Sequence, residues 1–190
     1  EPLIALLPGS RRSELRRHLG PILDGAARLR SETGARFVLP VAEGLSRGEV
    51  ERACRGSVVD VVGGPASRVL GETHLGLVAS GTATVEAALA GTPSVVLYRL
   101  SPLTYVLARL LVRTPFVAMA NILAGEALFP ELLQGRVTGA ALAREALAIL
   151  TDPPRYSSIV ERLLALRSRL GQPGASRRVA QALAEGLTRG

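Results

Sequence analysis

Two short stretches combine glycine, hydroxyl and charge at the end of an apolar run. One is Pro8-Gly9-Ser10-Arg11, directly after residues 3–7; the other is Ser80-Gly81-Thr82, directly after residues 75–79. Each is followed by a segment with helical spacing, so each reads as a turn that opens a helix. A helix N-terminus presents unpaired N–H groups and the positive end of the dipole, which suits a phosphate. Glycine lets the backbone approach closely, Ser10, Ser80 and Thr82 add hydroxyls, and Arg11 adds a charge-assisted donor. Glu86, six residues after Ser80, is the only charge on a segment otherwise made of small and apolar residues. A carboxylate there can accept from the vicinal hydroxyls of a ribose. Two bland readings stay open on pattern alone. Any doubly wound sheet needs Gly and Ser at such turns, and an acid near a helix start is favoured without any ligand.

Other chemistry has less support. Cys54 stands alone, so there is neither a disulfide framework nor a cysteine cluster, and it reads as a structural thiol. His18 and His74 lack ligand-like spacing, read as structural or surface groups, and leave no metal site. The glycine pattern Gly-x-Gly-x-x-Gly is absent after the first apolar run, and a chain without lysine cannot carry a Walker loop. The net charge of +7 favours anionic partners, and all 23 basic residues are Arg, a bias best explained by a high-GC genome. With three Tyr, three Phe and no Trp, no aromatic pair lies within a basic strand, which argues against nucleic acid. The apolar runs are too short to span a bilayer, which takes about 20 residues. No signal peptide is evident, and the opening Glu1-Pro2 leads straight into a strand, as if the chain were cut from something longer.

The elements that position these residues follow from periodicity. Apolar runs at 3–7, 37–41, 58–62, 75–79, 94–98 and 116–118 are mostly uninterrupted, as strands buried on both faces should be. Amphipathic segments at 11–31, 46–55, 65–70, 82–90 and 102–113 lie between them, and helices at 139–150, 154–170 and 174–187 follow. This alternation predicts an α/β fold: a doubly wound, six-stranded parallel sheet in the order 3-2-1-4-5-6, with extra C-terminal helices. Residues 1–152 form the expected Rossmann-like domain, and 153–190 form the helices beyond it. In such a sheet the ligand lies beyond the carboxyl ends of the strands where their order reverses, which brings the loops after the first and fourth strands to one crevice. Residues 102–113 carry a broad apolar stripe flanked by Arg109 and Arg113, which fits either packing on the sheet or contact with a lipid surface.

Four motifs in order carry a family resemblance: Leu7-Pro8-Gly9-Ser10-Arg11 with Glu14; Ser80-Gly81-Thr82-Ala83-Thr84-Val85-Glu86; Tyr98-Arg99-Leu100-Ser101-Pro102-Leu103-Thr104; and Asn121-Ile122-Leu123-Ala124-Gly125 followed by Pro130-Glu131-Leu132-Leu133-Gln134. Over residues 3–185 the chain resembles lipid-A-disaccharide synthases, inverting glycosyltransferases of the two-Rossmann-domain (GT-B) class. The resemblance implies the C-terminal, UDP-binding half of such a hexosyltransferase, with no metal or other cofactor. Its donor would be UDP-2,3-diacylglucosamine, its acceptor 2,3-diacylglucosamine 1-phosphate, and its product the β-1,6-linked disaccharide. Ser10 and Arg11 would meet the diphosphate from one side, and Ser80, Gly81 and Thr82 from the other. Arg11 would stabilise the leaving group, Glu86 would hold the ribose, and the backbone of Val62 and Gly63 would read the uracil. Asn121, Glu131 and Gln134 would lie near the donor sugar or domain cleft, although Met119-Ala120 stand where the family usually carries Leu-Pro. The general base is expected in a missing N-terminal domain, so this chain alone is expected to be inactive. Expected partners are the UDP-sugar, acylated glucosamine lipids, the cytoplasmic face of the inner membrane of a Gram-negative-type bacterium, the other domain and a second copy. Two rival readings remain. One is another UDP-sugar enzyme, a 2-epimerase or the muramyl-lipid N-acetylglucosaminyltransferase; the other is a non-catalytic module that binds a UDP-sugar or docks on a membrane.

Overall fold

The computed structural model describes residues 1–100 and 114–170. Strands β1 (Leu3–Leu7), β2 (Arg36–Pro40), β3 (Val59–Val62), β4 (Leu75–Ala79), β5 (Ser94–Tyr98) and β6 (Glu131–Leu133) form one parallel sheet in the order β3-β2-β1-β4-β5-β6. The crossovers contain α1 (Arg12–Thr33), α2 (Arg47–Ala53), α3 (Ala66–Gly71), α4 (Thr82–Ala90) and, after residue 113, α5 (Met119–Ala124). A 3-10 turn (Gln134–Arg136), α6 (Gly139–Leu150) and α7 (Pro153–Arg169) follow. The doubly wound architecture and the strand order agree with the sequence expectation.

The central strands are covered on both faces. Every residue of β4 is buried, as are Ile4 to Leu7 of β1 and Ser94 to Leu97 of β5. That is why their sequences are apolar without alternation. Full burial of each such Leu, Ile or Val contributes about 1.5–3 kcal/mol. Register is explicit between β1 and β4, where Ala5 lies opposite Gly76 and Leu7 opposite Val78. The edge strands β3 and β6 are only partly buried.

One strand lies elsewhere than expected. Residues 116–118 form no strand; β6 is Glu131–Leu133, with Leu132 opposite Leu97 of β5. The backbone N–H groups of Val117 and Ala118 instead donate to the Glu131 carboxylate, at 2.9 Å each for the shorter contacts. Three apolar residues cannot outcompete a longer-range pairing that buries Leu132 and continues from the bond between Val96 N–H and the Pro130 carbonyl. The segment after residue 118 then turns into α5, a helix that the periodicity did not reveal. The expected helices at 102–113 and 174–187 lie outside the described residues.

Helix α4 is made of small residues, and Thr84, Ala87 and Ala88 are buried against the sheet and neighbouring helices. Helix α7 starts at Asp152, whose carboxylate accepts from Arg155 N–H at 3.0 Å, with Pro153 and Pro154 in the first turn. Its Ile159, Leu163 and Leu166 join the core that also contains the sheet. Among the described residues no helix is long and apolar enough to cross a membrane.

Candidate functional site

A cleft of about 1000 Å³ opens beyond the carboxyl ends of the strands, where the order reverses between β1 and β4. Its walls are the turns after β1, β2, β3 and β4, the first turns of α4, and Tyr98 and Met119. Ser10, Arg11, Ser80, Gly81, Thr82 and Glu86, far apart in sequence, all line it. Val62 and Gly63 do not. They border an adjoining cavity of about 270 Å³ together with Arg68, while the next two residues, Gly64 and Pro65, line both. The Val62 carbonyl accepts from Val41 N–H at 3.0 Å, so that oxygen already has a partner in the protein.

The turn before α4 is open towards the cleft. Gly81 has φ 151°, a backbone conformation that side chains rarely adopt, and it caps the helix from outside. As the first residues of the helix, Thr82 and Ala83 have backbone N–H groups with no intrahelical acceptor. The polar groups behind the turn are tied down. Ser80 Oγ donates to the Val117 carbonyl at 2.9 Å, and Thr84 Oγ1 donates to the Gly81 carbonyl at 2.7 Å while accepting from Ala120 N–H at 3.3 Å. One turn into α4, the half-buried Glu86 faces the cleft, and among the described residues it takes part in no hydrogen bond or ion pair.

The turn before α1 is built differently. Glu14 folds back over it and accepts from Ser10 N–H at 3.0 Å and Arg11 N–H at 3.3 Å. Its other oxygen pairs with the Arg11 guanidinium at 3.2 Å. This is one half of a capping box: Glu14 reaches back to the N-cap N–H, while the donor-only Arg11 side chain cannot reciprocate and Glu14 N–H bonds the Arg11 carbonyl at 3.0 Å instead. Gly9, at φ 116°, makes room for it, because a Cβ there would overlap the Glu14 carboxylate. The sequence motif included Glu14 but gave it no role; its place three residues after the cap was the available signal.

Three other candidates sit behind the cleft. Asn121 is fully buried: its Nδ2 donates to the Phe129 carbonyl and to Glu131, and its Oδ1 accepts from Leu128 and Phe129 N–H, all at 2.8–3.0 Å. Glu131 in turn caps the Val117-Ala118 segment. Both therefore brace the loop that carries Met119 to the cleft, and neither lines it. Gln134 adopts φ 52° at the end of β6, and its buried Nε2 has no hydrogen-bond partner among the described residues. Arg99 holds that corner by donating to the Gln134 and Val137 carbonyls.

His18 links the two sides of the crevice. Its Nε2 accepts from Arg99 N–H at 3.1 Å, so that nitrogen carries no proton and Nδ1 donates to the Pro8 carbonyl at 2.8 Å. Burial, foremost, pushes its pKa below the ordinary histidine value, against the opposing pull of the Pro8 carbonyl and Glu14. Cys54 is buried and its thiol pKa is raised by desolvation, which leaves it a poor nucleophile.

A doubly wound parallel sheet with its cleft at the switch point is a Rossmann-like fold. Solved structures share this fold at low sequence identity. A spinosyn forosaminyltransferase superposes with a TM-score of 0.63 at 18% identity, covering 99% of this chain and 44% of that one. The UDP-GlcNAc 2-epimerase from Neisseria meningitidis, solved bound to UDP-GlcNAc, gives 0.61 at 16%, covering 97% and 45%. The chain belongs to the lipid-A-disaccharide synthetase family, whose model matches residues 1–185. A lipid-A-disaccharide synthase from Anaeromyxobacter dehalogenans (strain 2CP-1) is 44% identical over 182 residues, which are 94% of this chain and 48% of that protein. One from Myxococcus xanthus (strain DK1622) is 40% identical over 192 residues, covering 100% and 50%. The chain thus spans about half the length of the curated relatives it matches.

Proposed function

We propose that the chain is the donor-binding, C-terminal half of an inverting hexosyltransferase that makes the β-1,6-linked lipid A disaccharide. Its donor is UDP-2,3-diacylglucosamine and its acceptor 2,3-diacylglucosamine 1-phosphate. The observation that carries this reading is the open N-terminus of α4 beside the cleft, with the Glu86 carboxylate, which has no partner among the described residues, one turn further on. That pairing offers donors to a phosphate and an acceptor pair to the ribose hydroxyls attached to it. The chain's likeness to lipid-A-disaccharide synthases supports the reaction, and the epimerase's bound UDP-GlcNAc supports a UDP-sugar in a cleft of this fold.

In this reading the α4 turn, at Ser80, Gly81 and Thr82, receives the diphosphate from one side, and Ser10 and Arg11 from the other. As the glycosidic bond to UDP breaks, negative charge grows on the β-phosphate. Fixed N–H groups, the α4 dipole and the Arg11 guanidinium stabilise that charge more in the transition state than in the ground state. The uracil is read by the backbone after β3, where Gly64 and Pro65 rather than Val62 and Gly63 line the cleft. Asn121 and Glu131 act as positioning residues through the Met119 loop, and Gln134 through the corner it forms with Arg99. Deprotonating the acceptor falls to a base in the other half of the enzyme. The whole enzyme works at the cytoplasmic face of the inner membrane.

Calorimetry with UDP and a disaccharide assay test the reading together. The 190-residue chain is expected to bind UDP and to turn nothing over. Absence of UDP binding overturns the site, and disaccharide synthesis by the chain alone overturns the division of labour between halves.

A further inference from the structure

The two turns of the cleft differ in who uses their donors. At the α1 turn, Ser10 N–H, Arg11 N–H and the Arg11 guanidinium all converge on one carboxylate, Glu14. Three donors converging on an anion at a helix N-terminus, on the wall of a nucleotide-sized cleft, are the elements of a phosphate seat. The seat is occupied from within. Burial shows which partner is held and which is free: the Glu14 side chain is 17% exposed, the Arg11 side chain 79%. The contacts are also long. At 3.0–3.3 Å they exceed the roughly 2.7–2.9 Å of a well-formed charged hydrogen bond.

We propose that Glu14 is a built-in anion of the α1 turn, which a nucleoside diphosphate displaces as it binds, so that Ser10, Arg11 N–H and the Arg11 guanidinium exchange carboxylate for phosphate. This deepens the donor-site reading and rests on it. The two anions do not share Ser10 N–H, Arg11 N–H and the guanidinium, because like charges in contact repel. Glu14 therefore has two effects. It keeps the turn in its phosphate-ready shape by holding its N–H groups in register over Gly9. It also lowers the affinity for the diphosphate by competing for the same donors, which favours release of UDP after transfer. Glu14 is a positioning residue here, since it acts through Ser10 and Arg11 and not on the reacting atoms.

The variant Glu14→Gln separates these roles. The amide oxygen still accepts from a backbone N–H, so the cap persists, but the competing charge is gone. Its UDP affinity, measured by calorimetry on the 190-residue chain, is expected to rise by roughly 3- to 10-fold, the scale of one charged partner gained. Glu14 as a cap alone predicts affinity unchanged or lowered, and that result overturns the proposal. Backbone amide resonances of the unmodified chain provide a second measurement that does not depend on the variant. Adding UDP is expected to shift Thr82 and Ala83 and, with them, Ser10 and Arg11. Movement of Thr82 and Ala83 alone overturns the exchange and leaves the donor site standing. If neither pair moves at millimolar UDP, the donor-site reading itself falls, and the exchange with it.

Discussion

The turns before α1 and α4 look equivalent in sequence, yet they face the same cleft in opposite states. Among the described residues, Thr82 and Ala83 N–H at the α4 turn and the Glu86 carboxylate one turn downstream have no hydrogen-bond partner. The α1 turn spends its donors on Glu14. The difference lies in one position. Three residues after Arg11 stands an acid that can fold back; the corresponding residue after Gly81 is Thr84, whose short side chain reaches only its own turn and Ala120. Both turns are also braced from behind, α4's by Ser80 and Thr84 against the segment ordered by Glu131 and Asn121, and α1's by His18. A site can thus be rigid on both walls while its two turns are capped in different ways.

The largest blow to the comparison falls on the brace of the α4 wall. Asn121→Ala leaves two buried N–H groups and the Glu131 carboxylate short of a partner. It is expected to destabilise the chain by about 3 kcal/mol or more, measurable by denaturant unfolding. UDP affinity should fall with it as the Val117–Ser80 link loosens. A loss below 1 kcal/mol would show that the wall does not depend on this network.

Next in size is the ligand-facing group itself. Glu86→Ala removes a side chain with no described protein partner, so stability should change by less than about 0.5 kcal/mol. UDP affinity should drop about 10- to 30-fold, the scale of hydrogen bonds to a charged acceptor. Arg11→Ala is expected to weaken UDP binding similarly, with stability reduced by less than about 1 kcal/mol, since its ion pair is exposed. Calorimetry on folded variants checks both, and unchanged affinity in both would remove the functional distinction between the walls.

The smallest expected effect is pH dependence through the α1 wall. His18 is held neutral, with its pKa below the ordinary 6.5 because of burial. The unfolded chain therefore takes up a proton that the folded one refuses. His18 contributes stability above about pH 6.5, and this is lost as pH falls towards the depressed folded value. The slope from this group is at most about 1.4 kcal/mol per pH unit. Unfolding curves between pH 7.5 and 5 should show that slope in the parent and lack it in His18→Gln, the difference isolating this residue from His74. Parallel curves would mean that the bridge from Pro8 to Arg99 is not needed to hold the wall.

Much of this was legible in the sequence because strands buried on both faces must be apolar throughout. Residues 3–7, 75–79 and 94–98 could hardly be anything else, and the turns that follow them fix the switch point. The short final strand was not legible. Residues 116–118 look as apolar as Glu131–Leu133, and the pairing of β6 with β5, together with the side-chain cap from Glu131 to Val117 and Ala118, decides between them. Among the candidate site residues, Ser10, Arg11, Ser80, Gly81, Thr82 and Glu86 come together on one cleft. Asn121, Glu131, Val62 and Gly63 depend on how loops fold over one another, and no local spacing encodes that.

The sequence by itself determined the parallel α/β sheet, its switch point and the two turns, because these rest on burial and on backbone geometry repeated over many residues, and four motifs carried the resemblance to the family. Only the tertiary structure decided which donors are free. Whether an N–H faces a ligand or a neighbouring carboxylate turns on contacts of about 3 Å between side chains and loops that periodicity cannot see.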